Sequence, residues 1–118
     1  MTELIACLST GKGTWMPVVN LINAHDWDQI FLVATEFAKE KFTPSKPVNY
    51  IIIDQLKPST KLVDDIHKEL QGKIKGTQVA VNFISGTGKE HMAIISALIK
   101  LGLSFRQIAL TPDGVKEV

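Results

Sequence analysis

Ile84-Ser85-Gly86-Thr87-Gly88-Lys89-Glu90-His91-Met92 is the stretch whose reading decides the fold. The run before it, residues 77–85, is mostly buried-type and rich in Val, Phe and Ile. The run after it sets Met92, Ile95, Leu98, Ile99 and Leu101 at helical spacing. A strand therefore passes through Gly86 and Gly88 directly into a helix. Glycine admits positive φ and close approach of a ligand to the backbone. The orphan N–H groups and positive dipole end of the helix favour phosphate or carboxylate, and Lys89 adds a mobile charge.

A second turn of this kind follows the first strand. Residues 4–8 lead into Ser9-Thr10-Gly11-Lys12-Gly13-Thr14 and then a helix carrying Trp15, Val18, Val19 and Ile22. The alternation continues outward, with a second strand over 29–35, a short helix over 36–41 and a third strand over 48–54. A helix capped by Ser59 or Thr60 follows, with Leu62, Val63, Ile66 and Leu70 on one face and Gly72 near its end. Gly102 closes the helix after the fourth strand, residues 105–111 make a fifth, and Pro112-Asp113-Gly114 turns into a short C-terminal strand.

Strands alternating with helices predict an α/β, Rossmann-like fold: a mostly parallel five-stranded sheet in the order 3-2-1-4-5, helices on both faces, and a short terminal strand. In that order the first and fourth strands are neighbours. The crevice at their carboxyl ends is the topological switch point, so both glycine turns converge there.

Size and composition fit one domain spanning residues 1–118. Of these residues, 45% are hydrophobic and 21% charged, ordinary values for such a fold. The single Cys7 lies in the first apolar run and reads as a buried thiol in a reducing compartment. No apolar stretch approaches a membrane span and no signal segment opens the chain, so a cytoplasmic location is expected. A net charge of +1 argues against a broad surface for long duplex nucleic acid, whereas a small anion needs only Lys12 and Lys89.

Two familiar nucleotide motifs are absent. A P-loop requires Ser or Thr after its lysine and a leading glycine, but Glu90 follows Lys89. Gly11-Lys12-Gly13-Thr14 does not complete a dinucleotide-binding Gly-x-Gly-x-x-Gly pattern. No Cys/His set has metal-ligand spacing, so neither metal nor cofactor is expected.

The segment Val81-Asn82-Phe83-Ile84-Ser85-Gly86-Thr87-Gly88-Lys89-Glu90-His91-Met92, followed by Ala93 and Leu98, resembles the signature loop of the CRISPR-associated Rossmann fold (CARF) family. There an asparagine-bearing strand enters a Thr-Gly-Gly-Thr-Lys-like turn and a helix with an early methionine. The Leu8-Ser9-Thr10-Gly11 turn and the strand–helix order extend the likeness over nearly the whole chain. The departure is Thr87 between the two glycines.

The resemblance implies a homodimer whose crevices meet across a two-fold axis and bind a cyclic oligoadenylate, the messenger of type III CRISPR antiviral defence. A symmetric ring suits an isologous dimer. With no effector module following, the chain looks like a free-standing sensor, or a ring nuclease that cuts the messenger without metal by 2′-OH attack on the adjacent phosphate.

For that reaction Lys89 and Lys12 would stabilise charge, and the N–H groups of Gly86, Thr87 and Gly88 would form an oxyanion cradle. Ser9, Thr10, Ser85 or Thr87 would orient phosphate or ribose, with Gly11, Gly13, Thr14 and Asn82 as further ligand-contact candidates. His91 is the nearby side chain of the type suited to proton transfer.

Each assignment has a plainer rival. The glycines could serve only tight turns, the lysines solvation, and His91 a capping or solvent-facing role. Glu90 reads as a complement to the helix N-terminus, Trp15 as core or dimer interface rather than an adenine platform, and Asn82 as a polar break in its strand. His25 and His67 read as surface residues. The rival to the whole reading is a non-enzymatic regulatory or interaction subunit, acting through an effector protein partner, whose domain binds a mononucleotide or no ligand.

Overall fold

The computed structural model describes residues 2–118 and contains one six-stranded sheet. The elements are β1 (Glu3–Cys7), α1 (Trp15–Asn23), β2 (Gln29–Ala34), α2 (Glu36–Lys41), β3 (Asn49–Ile52), α3 (Ser59–Leu70), β4 (Gln78–Asn82), α4 (Gly88–Lys100), β5 (Ser104–Thr111) and β6 (Gly114–Glu117). The spatial order is β3-β2-β1-β4-β5-β6. Pairing is parallel throughout except for β6, which runs antiparallel to β5. The sheet thus has six strands rather than five, because the two-residue turn at Pro112-Asp113 lets the terminal segment pair directly with β5 from Thr111↔Gly114.

Helices cover both faces, and strand alternation divides the core accordingly. Trp15, Val18, Leu21 and Ile22 of α1, with Ala38 of α2, pack on Leu4, Ala6, Ile30 and Leu32. On the other face Leu62, Ile66 and Leu70 of α3, with Ala93, Ile94, Ala97 and Leu98 of α4, pack on Ile5, Phe31, Val33, Val79 and Val81. The central strands contribute buried residues to both layers, which is why they read as unbroken apolar runs.

Several boundaries differ from the sequence expectation, each for a local reason. β4 ends at Asn82 instead of Ser85. There the buried amide donates to Ile108 O at 2.9 Å and accepts from Ile84 N at 3.2 Å, diverting the chain from the ladder. The first helix is preceded by a 3-10 turn, Lys12–Thr14, and begins at Trp15, because the Thr14 hydroxyl is engaged by Ser85 rather than capping. Pro58, not Ser59 or Thr60, occupies the N-cap of α3, its carbonyl accepting from Lys61 N and Leu62 N. At the end of α4, Gly102 at φ 73° closes the helix through Gly102 N to Ile99 O and Leu103 N to Leu98 O.

At the amino-terminal edge of the sheet the buried Glu3 carboxylate accepts from Gly76 N at 2.8 Å, Lys75 N at 3.0 Å and Gln29 Nε2 at 2.6 Å. These bonds fasten the connection into β4, so this buried acid is structural. Among the described residues, no helix is long and apolar enough to cross a membrane.

Candidate anion-binding crevice

β1 and β4 are adjacent, in register from Leu4↔Ala80 to Ala6↔Asn82, so their carboxyl ends deliver the two glycine turns to the same place. Ser9 N donates to Ser85 Oγ at 2.8 Å, and the Thr14 hydroxyl donates to the same oxygen at 2.6 Å. Ser9 Oγ in turn bonds Gly11 O at 2.5 Å and lies 3.2 Å from Thr14 Oγ1. Ser85 is buried, so it acts as the tether between the turns rather than as an open ligand contact. Asn82 is likewise buried with both ends of its amide engaged, and it shapes the turn from beneath.

The glycines divide into two kinds. Gly86 has φ 99°, and a methyl group there would overlap Cys7 Sγ and crowd His91 Nε2 at 3.1 Å. Its lack of a side chain is demanded by the fold. Gly11, Gly13 and Gly88 have ordinary φ, and a Cβ on any of them would meet nothing within 4 Å. The need for positive φ therefore holds at Gly86 alone; at the other three positions glycine leaves backbone bare to approach from outside.

Thr87 caps α4 in a capping box with Glu90: Thr87 N donates to Glu90 Oε1 at 2.8 Å, and Glu90 N to Thr87 Oγ1 at 3.4 Å. His91 N is taken by Thr87 O. Of the helix's opening N–H groups, those of Gly88 and Lys89 have no hydrogen-bond partner among the described residues. The expected cradle is therefore corrected at Thr87 alone, whose N–H is occupied; the N–H groups of Gly86, Gly88 and Lys89 have no hydrogen-bond partner among the described residues. Glu90 is buried beneath them, and its negative charge opposes an incoming anion.

The charged and aromatic candidates are also placed. Lys89 Nζ donates to Gln55 O at 3.0 Å, while Lys12 is exposed with Nζ 5.9 Å from the Trp15 ring centroid. His91 Nε2–H donates to Ser85 O at 2.7 Å, and its ring lies 4.7 Å from Phe83, centroid to centroid. The imidazole thus braces the turn, with Nδ1 as its remaining site.

Trp15 is buried in the α1 layer, edge-on to Phe42 at 5.8 Å, with Nε1–H donating to Ser9 O at 2.8 Å. It is a core residue, so adenine stacking on this ring is excluded by its packing. His25 is exposed as expected, whereas His67 is half-buried on α3. Cys7 is a free thiol at the end of β1, and burial, then the Glu90 charge, push its pKa far above the ordinary 9.0.

A third loop, between β3 and α3, also reaches the crevice, and no sequence signal announced it. Gln55 Oε1 accepts from the Thr10 hydroxyl at 3.1 Å, while its carbonyl accepts Lys89. One residue thereby contacts both glycine turns. No group of three His, Cys, Asp or Glu among the described residues is placed to hold a metal ion. No family model matches the chain, and no curated protein sequence matches it.

Proposed function

We propose that the crevice binds a phosphodiester-containing second messenger, a cyclic oligoadenylate, between two copies of the chain. The observation that carries this reading is the juxtaposition of two glycine turns, 76 residues apart, tied by Ser9 and Ser85 at the carboxyl ends of neighbouring parallel strands. Bare backbone at Gly11, Gly13 and Gly88, the open N–H groups of Gly88 and Lys89, and the ammonium groups of Lys12 and Lys89 supply phosphate donors. The likeness of residues 81–92 to the CARF loop selects the ligand class.

The exposed apolar side chains of Met16, Ile84 and Leu110 support the homodimer. Ile84 and Leu110 border a hollow with Pro17 and Asn20, near the Ser85 turn, and none of these residues is ionisable. An uncharged patch faces its own copy across a two-fold axis without like-charge repulsion. Light scattering with ligand present should report twice the chain mass; a strictly monomeric mass rejects the ring-cradle arrangement.

Binding is better supported than cleavage. Nε2 of His91 is engaged by Ser85 O, and Lys89 must leave Gln55 O before it meets a phosphate. Cleavage, in which the 2′-oxygen loses its proton and attacks phosphorus while the P–O5′ bond breaks, leaving a 2′,3′-cyclic phosphate and a 5′-hydroxyl protonated from solvent, would rely on in-line geometry held by the turns and charge stabilisation by Lys89 and Lys12.

The deciding experiment incubates purified protein with labelled cyclic tetra- and hexa-adenylate, with and without EDTA. Gel shift reports binding, and product analysis reports turnover. Retention without linear product identifies a sensor, and EDTA-insensitive linear product identifies a ring nuclease. Failure to retain either ring rejects both, leaving the regulatory-subunit reading.

A further inference from the structure

Gln55 has a second relationship besides its contacts with Thr10 and Lys89. It lines a 510 Å3 hollow together with Thr35, Glu36, Phe37, Asp54 and Leu56. Volumes of this order accommodate a small-molecule group such as a purine. Two of the lining side chains are apolar and uncovered: Phe37 is 47% exposed and Leu56 87%. The ionic groups of the wall are Lys57, which is paired with Asp65 of α3 at 3.2 Å, and two acids without an ion-pair partner among the described residues, Glu36 and Asp54. The two acids repel phosphate and tolerate a neutral base whose exocyclic amine donates hydrogen bonds. The hollow thus differs in chemistry from the turns beside it, with phosphate donors on one side of Gln55 and an apolar, acid-rimmed recess on the other.

The loop is also held in shape. Leu56 N donates to Asp54 Oδ1 at 3.0 Å, Lys57 N to Asp54 O at 3.1 Å, and Ile53 N to Ala34 O at 2.9 Å. The Thr10 hydroxyl donates to Oε1, and Nε2 remains as a donor. A glutamine amide matches the N6-amine and N7 of adenine, accepting from the first and donating to the second. Against hypoxanthine or guanine, whose O6 and N7 both accept, one of those two bonds is lost.

We propose that the hollow between the β2–α2 and β3–α3 connections is the base pocket of the crevice, and that Gln55 is its adenine-reading residue. This inference rests on the cyclic-nucleotide reading of the glycine turns. It adds a recess for the base, with Phe37 and Leu56 as apolar walls, and assigns selectivity to a residue outside both turns.

The test measures dissociation constants of the full chain for cyclic tetra- and hexa-adenylate and for the corresponding inosine rings, in wild type, Gln55→Ala and Gln55→Arg. Wild type should prefer adenine by roughly 5- to 150-fold, the discrimination of one bidentate amide–base pair. Gln55→Ala should bring that ratio close to one. Gln55→Arg, which presents donors to O6 and N7, should reverse it. The ratio is insensitive to a general loss of affinity or folding. Wild-type binding with an unchanged ratio in both variants overturns the role of Gln55 while sparing the phosphate site. Wild-type failure to bind any ring overturns the underlying reading and this inference with it.

Discussion

Ser9 N and Ser85 Oγ, 76 residues apart in sequence, lie 2.8 Å apart and hold the two glycine turns against one another. The acceptor is buried and also takes the Thr14 hydroxyl, so one serine organises both approaches to the crevice. Ser85→Ala strands two donors. Stability should fall by ~1 to 3 kcal/mol, the cost of leaving buried polar groups unpaired. Urea denaturation checks this, and an unchanged midpoint would remove Ser85 from its organising role.

Gly86 and Gly88 are two residues apart yet should respond oppositely to a methyl group. Gly86→Ala forces a side chain into positive φ and into Cys7 Sγ, costing ~1 to 3 kcal/mol for the backbone conformation alone. Gly88→Ala meets nothing within 4 Å, so stability should change by less than ~1 kcal/mol. It should nevertheless weaken ring binding by covering bare backbone. Thermal melts paired with titrations of the second variant separate the two roles; equal destabilisation would contradict the difference.

Lys89→Ala should leave the melting temperature nearly unchanged, because the hydrogen bond to Gln55 O is exposed. Ligand affinity should fall by ~1.5 to 3 kcal/mol, the scale of a hydrogen bond from a charged group. The salt dependence of binding should also become shallower. An unaltered dissociation constant rejects Lys89 as a phosphate ligand.

Glu90→Gln retains an acceptor for Thr87 N and removes the buried negative charge beneath the helix opening. Anion affinity should rise, and stability should shift by less than ~1 kcal/mol as the favourable charge–dipole term disappears. Calorimetry with inorganic phosphate and with the cyclic ligand measures both arms. Weaker binding by this variant would mean that Glu90 aids the ligand directly.

The Cys7 thiol should resist alkylation in the folded protein and react on unfolding, because burial and the Glu90 charge hold it protonated far above the ordinary 9.0. A raised folded-state pKa stabilises the protonated form. Its contribution is therefore fully present below the unfolded value and is lost progressively as pH rises above it. Denaturation midpoints should decline above about pH 9 for this reason, with the decline reduced in Cys7→Ala. Rapid labelling of native protein near neutral pH would contradict the buried placement.

The resemblance-derived assignments at the crevice separate along physical lines. Sequence spacing placed Ser9, Gly11, Ser85, Gly86, Gly88 and Lys89 at one end of a parallel sheet, because strand–helix alternation and the order of crossovers leave few other arrangements. It did not reveal that the Thr87 N–H is spent on Glu90 or that His91 braces the Ser85 carbonyl, and it left Trp15 between core and dimer interface. Those outcomes depend on side-chain directions and competing acceptors, which a linear pattern does not encode. Gln55 carries no local signature at all.

The chain alone determined the α/β alternation, the two apolar layers and both glycine turns, since these follow from hydrophobic period and backbone chemistry acting over a few residues. Tertiary structure decided which donors remained open, which glycine was obligatory, and that a third loop met the other two. Gly86 is bound to its place by Cys7, 79 residues before it, and Gln55 joins the crevice through Thr10 and Lys89. Close packing sets such contacts between distant segments, and they exist only once the sheet has assembled.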